Sequence, residues 1–107
     1  MWQKMAQNGG GGGSTPPSVH LDGAGRLSRD YTFTDVYTEA IVINGYMLED
    51  ATLSKSYITS SNKCTYTLLT TLNYGGQFSI YKITDIEEGA SLTFADSHNA
   101  YFVIGVK

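Results

Sequence analysis

The chain has 107 residues, of which 41% are hydrophobic and 16% charged, a size and composition typical of one small globular domain. The net charge is −3 and the seven Lys and Arg residues are scattered, so no basic stripe is present to neutralise phosphates and we expect no nucleic acid partner. The longest apolar runs are about four residues, where a membrane-spanning helix needs about 20, which predicts no membrane insertion.

The chain opens with a short peptide and a glycine-rich segment. Trp2 and Met5 give residues 1–8 two large apolar side chains, and we predict that this peptide anchors the chain to a partner. Residues 9–18 cannot bury surface and read as a linker, which leaves residues 19–107 as a β domain. Two alternatives stay open: a frayed terminus and an engineered spacer. The glycines assigned to partner binding together with Trp2 and Met5 are Gly9, Gly10, Gly11, Gly12 and Gly13.

The next segments alternate apolar and polar residues between frequent turn signals, a pattern typical of short antiparallel strands. Gly23 and Gly25 are expected to let the linker bend into the first strand. Residues 31–34 alternate aromatic residues with threonines, and residues 40–44 form a nearly continuous apolar run. The dipeptide Asn44-Gly45 then predicts a hairpin turn, with residues 46–48 returning as the partner strand.

The second half of the chain carries the clearest strand pattern. Residues 63–72 predict a long strand whose turn at 73–76 leads into a partner strand at 78–83. Glu87, Glu88 and Gly89 predict a turn, and residues 96–99 another. The side chains expected on the core face of the long strand are Cys64, Tyr66, Leu68 and Leu72.

The last strand, residues 101–106, is apolar on both faces and is expected in the middle of a sheet. Phe102, Ile104 and Val106 would share one face of it. Seven or eight short strands at this spacing predict an all-β fold, a small antiparallel β-sandwich or jelly roll, preceded by an extended N-terminal arm.

Residue types suited to catalysis or metal binding are sparse. His20 and His98 have no ligand spacing, and the single Cys64 in a strand is interpreted as a small buried hydrophobe. The adjacent acids at 49–50 and 87–88 fall in turns, where solvation explains them. The segment 21–25 superficially resembles a calcium loop, but its acids do not recur at alternate positions. We therefore expect no enzymatic activity, no cofactor and no metal.

Eight tyrosines could offer flat amphipathic rings to a sugar, although most are expected to cover half-buried faces or subunit interfaces. Tyr46 follows the Asn-Gly dipeptide, and Tyr74 lies in the Asn-Tyr-Gly-Gly turn. These two are the candidate ligand-binding residues for a carbohydrate-binding or host-adhesion module, the alternative function.

The opening Met-Trp-Gln-Lys-Met-Ala-Gln-Asn with five glycines, followed by a Tyr- and Thr-rich β domain ending in Tyr-Phe-Val-Ile-Gly-Val-Lys, resembles small virion proteins of tailed phages and prophages of gut bacteria. Such proteins are of the head-decoration, head-fibre or tail-fibre type. The resemblance implies a non-enzymatic homo-oligomer, commonly a trimer, joined through its N-terminus to capsid or tail proteins. It also implies assembly in the host cytoplasm and residence in the virion, and it transfers no catalytic residue.

Overall fold

The computed structural model describes residues 16–47, 57–73, 76–97 and 99–107, with the backbone alone described at 46, 47 and 76. In these ranges the chain forms eight strands and no helix, which confirms the predicted all-β class. The strands are β1 (Val19–Arg26), β2 (Asp30–Thr32), β3 (Glu39–Met47), β4 (Ile58–Asn62), β5 (Thr65–Asn73), β6 (Gly76–Thr84), β7 (Ser91–Phe94) and β8 (Ala100–Val106).

The strands form two antiparallel sheets, one of five strands in the order β1-β8-β3-β6-β5 and one of three in the order β2-β7-β4. The pairs β1–β8, β2–β7 and β3–β6 are nested, as they are when a long hairpin rolls into a jelly roll. In this chain β5 pairs with β6 at the edge of the larger sheet. The predicted central place of the last strand is confirmed, because β8 lies between β1 and β3.

The core lies between the two sheets, where alternate side chains of each sheet meet. Leu92 and Phe94 of the smaller sheet and Val42, Ile83 and Val103 of the larger are all at most 1% exposed. Burying an aliphatic or aromatic side chain of this size contributes about 1.5–3 kcal/mol, so this layer supplies most of the stabilisation. The period-two pattern of the sequence is what places these residues on facing surfaces.

The predicted hairpin at Asn44-Gly45 is wrong, because β3 runs straight through both residues. They pair with Ser79 and Phe78 on one side and with Tyr101 and Ala100 on the other. Two features exclude a turn here. Asn44 is fully buried and donates its Nδ2 to the Ala100 carbonyl at 3.3 Å, and a Cβ on Gly45 would run into the backbone of Gln77 and the ring of Phe78.

The predicted hairpin between residues 63–72 and 78–83 is confirmed as β5 and β6. The predicted burial of Leu68 and Leu72 is wrong, because they are 53% and 49% exposed. Leu68 lies opposite the core residue Tyr81 but on an edge strand, where it stays exposed. The register shifts between Leu68 and Thr70, and this bulge places Leu68 and Leu72 on opposite faces of the sheet. Cys64 and Tyr66 are half-buried against the core, as expected.

The predicted turn at residues 87–89 is also confirmed. Ala90 donates its backbone N–H to the Glu87 carbonyl at 3.1 Å, and Gly89 has a φ of 82°, in the left-handed region that glycine adopts without cost. This turn brings the chain from Ile86 into β7.

Gly45→Ala should lower the free energy of unfolding by about 1–3 kcal/mol, the usual cost of forcing a methyl group into a packed site. Urea denaturation of the purified protein measures this. Gly89→Asn is the matched control: a Cβ there meets only the flexible Lys63 ammonium, at 3.8 Å, and Asn tolerates a left-handed φ, so its loss should stay below about 1 kcal/mol. Equal losses for the two variants would contradict the packed position of Gly45.

Candidate functional site

The most concentrated polar arrangement among the described residues surrounds Asp22 in β1. The pairing register shifts at this residue: Leu21 lies opposite Ile104 and Gly23 opposite Val103, so Asp22 is the extra residue of a β-bulge. A bulge redirects side chains locally. Here it turns Asp22 towards the second sheet, where its carboxylate meets Tyr31 of β2.

Four donors converge on the two carboxylate oxygens of Asp22. Tyr31 donates its hydroxyl to Oδ2, and the Thr34 backbone N–H donates to the same oxygen at 3.0 Å. The Tyr37 hydroxyl and the Thr34 Oγ1 donate to Oδ1 at 2.6 and 2.5 Å. One side chain therefore joins β1 of the larger sheet to β2 of the smaller and to the connection between β2 and β3.

Three tyrosine rings fit between the two sheets because each of them lies over a glycine. A Cβ on any of these glycines would overlap the ring above it. The expectation that Gly23 and Gly25 bend the linker is therefore wrong: both lie inside β1, and their function is to admit rings between the sheets. The contacts are Gly23 with Tyr31, Gly25 with Tyr101, and Gly105 with Tyr37.

The hydrogen bonds change the acidity of the groups that share them. Partial burial alone would raise the pKa of Asp22, but the hydrogen bonds from Thr34, Tyr31 and Tyr37 outweigh it and hold that pKa below its ordinary value. Burial and the hydrogen bond to Asp22 raise the pKa of Tyr37 to about 12, and the same two causes raise the pKa of Tyr31 further. The cluster is thus a carboxylate held ionised by neutral phenols across the ordinary pH range.

This arrangement is suited to cross-linking the fold rather than to chemistry. A carboxylate that already accepts four hydrogen bonds has little capacity left to act as a base, and phenols with raised pKa values are poor acids and poor nucleophiles. Within the described ranges, no group of three or more His, Cys, Asp and Glu residues could hold a metal ion.

A shallow depression of about 130 Å³ lies beside the cluster, lined by Phe33, Thr34, Asp35, Val36, Glu88 and Gly89. Ligand pockets usually measure about 300–1,000 Å³, so this one is too small to enclose an organic ligand. Of the two carboxylates in the lining, that of Asp35 is also engaged, because Lys107 bonds it at 2.5 Å. The depression is a surface irregularity between two loops.

Most of the site residues predicted from sequence cannot be placed. Trp2, Met5 and the five glycines at 9–13 lie outside the described residues, as does the N-terminal arm to residue 15. Tyr74 and His98 also lie outside them. The backbone of Tyr46 belongs to β3, opposite Gln77, but its side chain is not described.

The remaining polar residues singled out from the sequence have structural surroundings. Cys64 is half-buried with its Sγ 3.7 Å from the Ser91 carbonyl, and burial raises its pKa, which fits the interpretation as a small core residue. His20 is exposed and shares a 3.0 Å hydrogen bond with the Ser18 hydroxyl. Glu87 and Glu88 are exposed at their turn.

Two residues that organise the domain are missed by the sequence interpretation. One is Asp22, which the sequence pattern relates only to a calcium loop. The other is Asn99, 4% exposed, whose Nδ2 donates to the Ser28 and Asp96 carbonyls at 2.6 and 2.7 Å and whose backbone carbonyl accepts from Leu27. Partners up to 71 positions apart leave no local sequence signal.

Comparison of the chain with protein-family models, with curated proteins and with solved structures finds no match. None of the described segments forms a helix of the length and apolarity needed to cross a membrane.

Asp22→Ala should lower the free energy of unfolding by about 2–4 kcal/mol, because it leaves two buried phenols without their acceptor. Chemical denaturation measures this against Asp30→Asn, an exposed carboxylate on β2 that should change stability by less than about 0.5 kcal/mol. A loss no larger than that of the control would show that the cluster does not hold the sheets together.

The cluster should also make stability depend on pH in two windows. Asp22 has a lowered pKa in the folded state, so its contribution is present above the unfolded value of 3.8 and is lost as pH falls through the folded value. Tyr37 has a raised pKa, so its contribution is present below pH 10 and is lost as pH rises towards about 12. Urea titrations at several pH values measure the free energy of unfolding. In the wild type it should fall in both the acid and the alkaline window, and in Asp22→Asn it should change less with pH in each.

Proposed function

We propose that this chain is a non-enzymatic structural protein of a phage virion, a decoration or fibre component. Residues 1–8 dock on a capsid or tail protein, the glycine-rich segment spans the gap, and the β domain is displayed. The resemblance of the N-terminal peptide, the glycine run and the β domain to small virion proteins of tailed phages supports the proposal.

The observation that carries it is the way the linker joins the domain. Ser18, the last linker residue, exchanges backbone hydrogen bonds with Lys107 at 3.2 and 3.0 Å, and Val19 continues directly into edge strand β1. The domain thus holds the end of the linker at a fixed point. About ten linker residues span about 30 Å when extended, a useful reach between a docked peptide and a displayed domain.

The fold offers support of a second kind, by analogy. Jelly rolls are frequent in viral capsid and lectin domains, and a rolled β-sandwich is a rigid body suited to display. The Asp22 cluster is compatible with a display role, because this densest polar arrangement among the described residues joins the two sheets to each other.

The described surface gives the carbohydrate-binding alternative less support. The two tyrosines predicted to bind a sugar, Tyr46 and Tyr74, have no described side chains. Of the other tyrosines, Tyr31, Tyr37 and Tyr81 are buried in the core, where they offer no exposed ring. Tyr57 is 49% exposed, but it does not line the depression next to Phe33. We therefore place the displayed structural component first.

The anchor is tested by incorporation into particles that lack the wild-type chain. Trp2→Ala with Met5→Ala should abolish incorporation because it removes the apolar contacts of the peptide, while leaving the domain folded. Gln3→Ala with Gln7→Ala is the matched control in the same peptide and should be incorporated normally. Particle composition is measured by gel and mass spectrometry.

A deletion of residues 1–13 completes this test. It leaves the Ser18–Lys107 pairing and every described strand in place, so circular dichroism should report a folded domain. If that truncated chain still enters particles in normal amounts, the anchor assignment is wrong.

A further inference from the structure

The two sheets present very different outer faces. On the three-stranded sheet, the positions that point away from the core are all polar: Asp30, Thr32, Ser60, Asn62, Ser91 and Thr93. This is the ordinary alternation of a solvated sheet. On the five-stranded sheet, ten of the outward positions are large and apolar: Val19, Leu21, Ile41, Ile43, Leu72, Phe78, Ile80, Phe102, Ile104 and Val106.

We name these ten residues the outer apolar face. Val19, Leu21, Leu72 and Phe102 are 48–65% exposed, and the other six are half-buried by their neighbours in the sheet. The apolar side chains are concentrated on β8, β3 and β6, the three inner strands, while the outward positions of β5 include threonines. An apolar centre with a polar border is the organisation of a protein interface.

From this face we infer that the partner is a second copy of this chain, packed sheet against sheet. A two-fold interface brings each patch against itself, so any net charge on the patch would repel its own image. Two charged residues on the same side of the sheet, Lys82 and Glu39, neutralise each other in an ion pair at 3.3 Å on neighbouring strands. Arg26 lies at a far corner, at the end of edge strand β1.

The size of the face fits such a pair. Five strands about 4.8 Å apart and about eight residues long give a footprint of about 500 Å² on each copy. Counted on both copies, this flat area is about 1,000 Å², the lower limit for a specific interface. The protruding side chains make the buried accessible area larger than the flat area. Two sheets that stack in this way lie about 10 Å apart, with their side chains interdigitated.

The edges of the sheets are less suited to association than the face. The register shifts in the described strands fall in β1, β4 and β5, each of which lies at the edge of a sheet. Bulges in edge strands disrupt the row of backbone groups that another strand would need. The fourth edge strand, β2, has no bulge but is only three residues long, which also limits strand addition. The copies are therefore expected to meet through side chains and not by strand addition.

The mass of the full chain in solution tests this inference, which does not depend on the N-terminal anchor. Sedimentation velocity and light scattering should give twice the 11.6 kDa of one chain. Ile43→Lys and Phe102→Thr change two paired residues on central strands, and each should weaken the dimer by about tenfold or more. Thr93→Lys, on the central strand of the other sheet, is the matched control and should leave the dimer intact.

Circular dichroism and thermal unfolding establish whether each variant is folded. If Ile43→Lys does not fold, Phe102→Thr still tests the inference, because threonine has a high strand propensity. A wild-type chain that stays monomeric at millimolar concentration would overturn the inference. So would face variants that retain the dimer mass, or a trimer in place of a dimer. A monomer that dimerises only after deletion of residues 1–13 would show that the N-terminal segment covers the face, and would also overturn it.

Discussion

The structure depends on one carboxylate placed where a regular strand would not put it. Asp22 occupies a bulge in β1, and from there it binds the hydroxyls of Tyr31 and Tyr37 and two groups of Thr34. Those residues belong to the opposite sheet and to the connection that crosses between the sheets. A small domain without a disulfide has few ways to fix two sheets against each other, and this cluster supplies one through charge-assisted hydrogen bonds.

The tyrosine rings between the sheets, two of which bond Asp22, also explain why the domain tolerates glycines inside its strands. Gly23, Gly25 and Gly105 would each weaken a strand in isolation, since glycine adds backbone entropy and no packing. Here each of them makes space for a tyrosine ring, and the rings carry hydroxyls or apolar area into the layer between the sheets. The local cost of the glycines and the long-range gain from the tyrosines are two parts of one arrangement.

The features that could be predicted from the sequence are mainly those whose interacting residues lie close together in the chain. Alternation over a few residues predicts the all-β class and the β5–β6 hairpin, because both depend on neighbours in the chain. The central position of β8 is predicted from the apolar residues on both of its faces, although its partners β1 and β3 are remote in sequence. The Asn44-Gly45 turn fails because β6 and β8, remote in sequence, pair with both residues and bury Asn44. Asp22 and Asn99 could not be found, since the parts of the fold that they join are brought together by the topology, although the bond from Asn99 to the Asp96 carbonyl is local.

The bulges at the sheet edges affect how the domain behaves at high local concentration. Where many copies are held close together, regular exposed edges would let strands of neighbouring molecules join into growing ribbons, as in amyloid. The irregular edges of β1, β4 and β5 interrupt that route. A surface could therefore be crowded with this domain and still carry separate folded units rather than an aggregate.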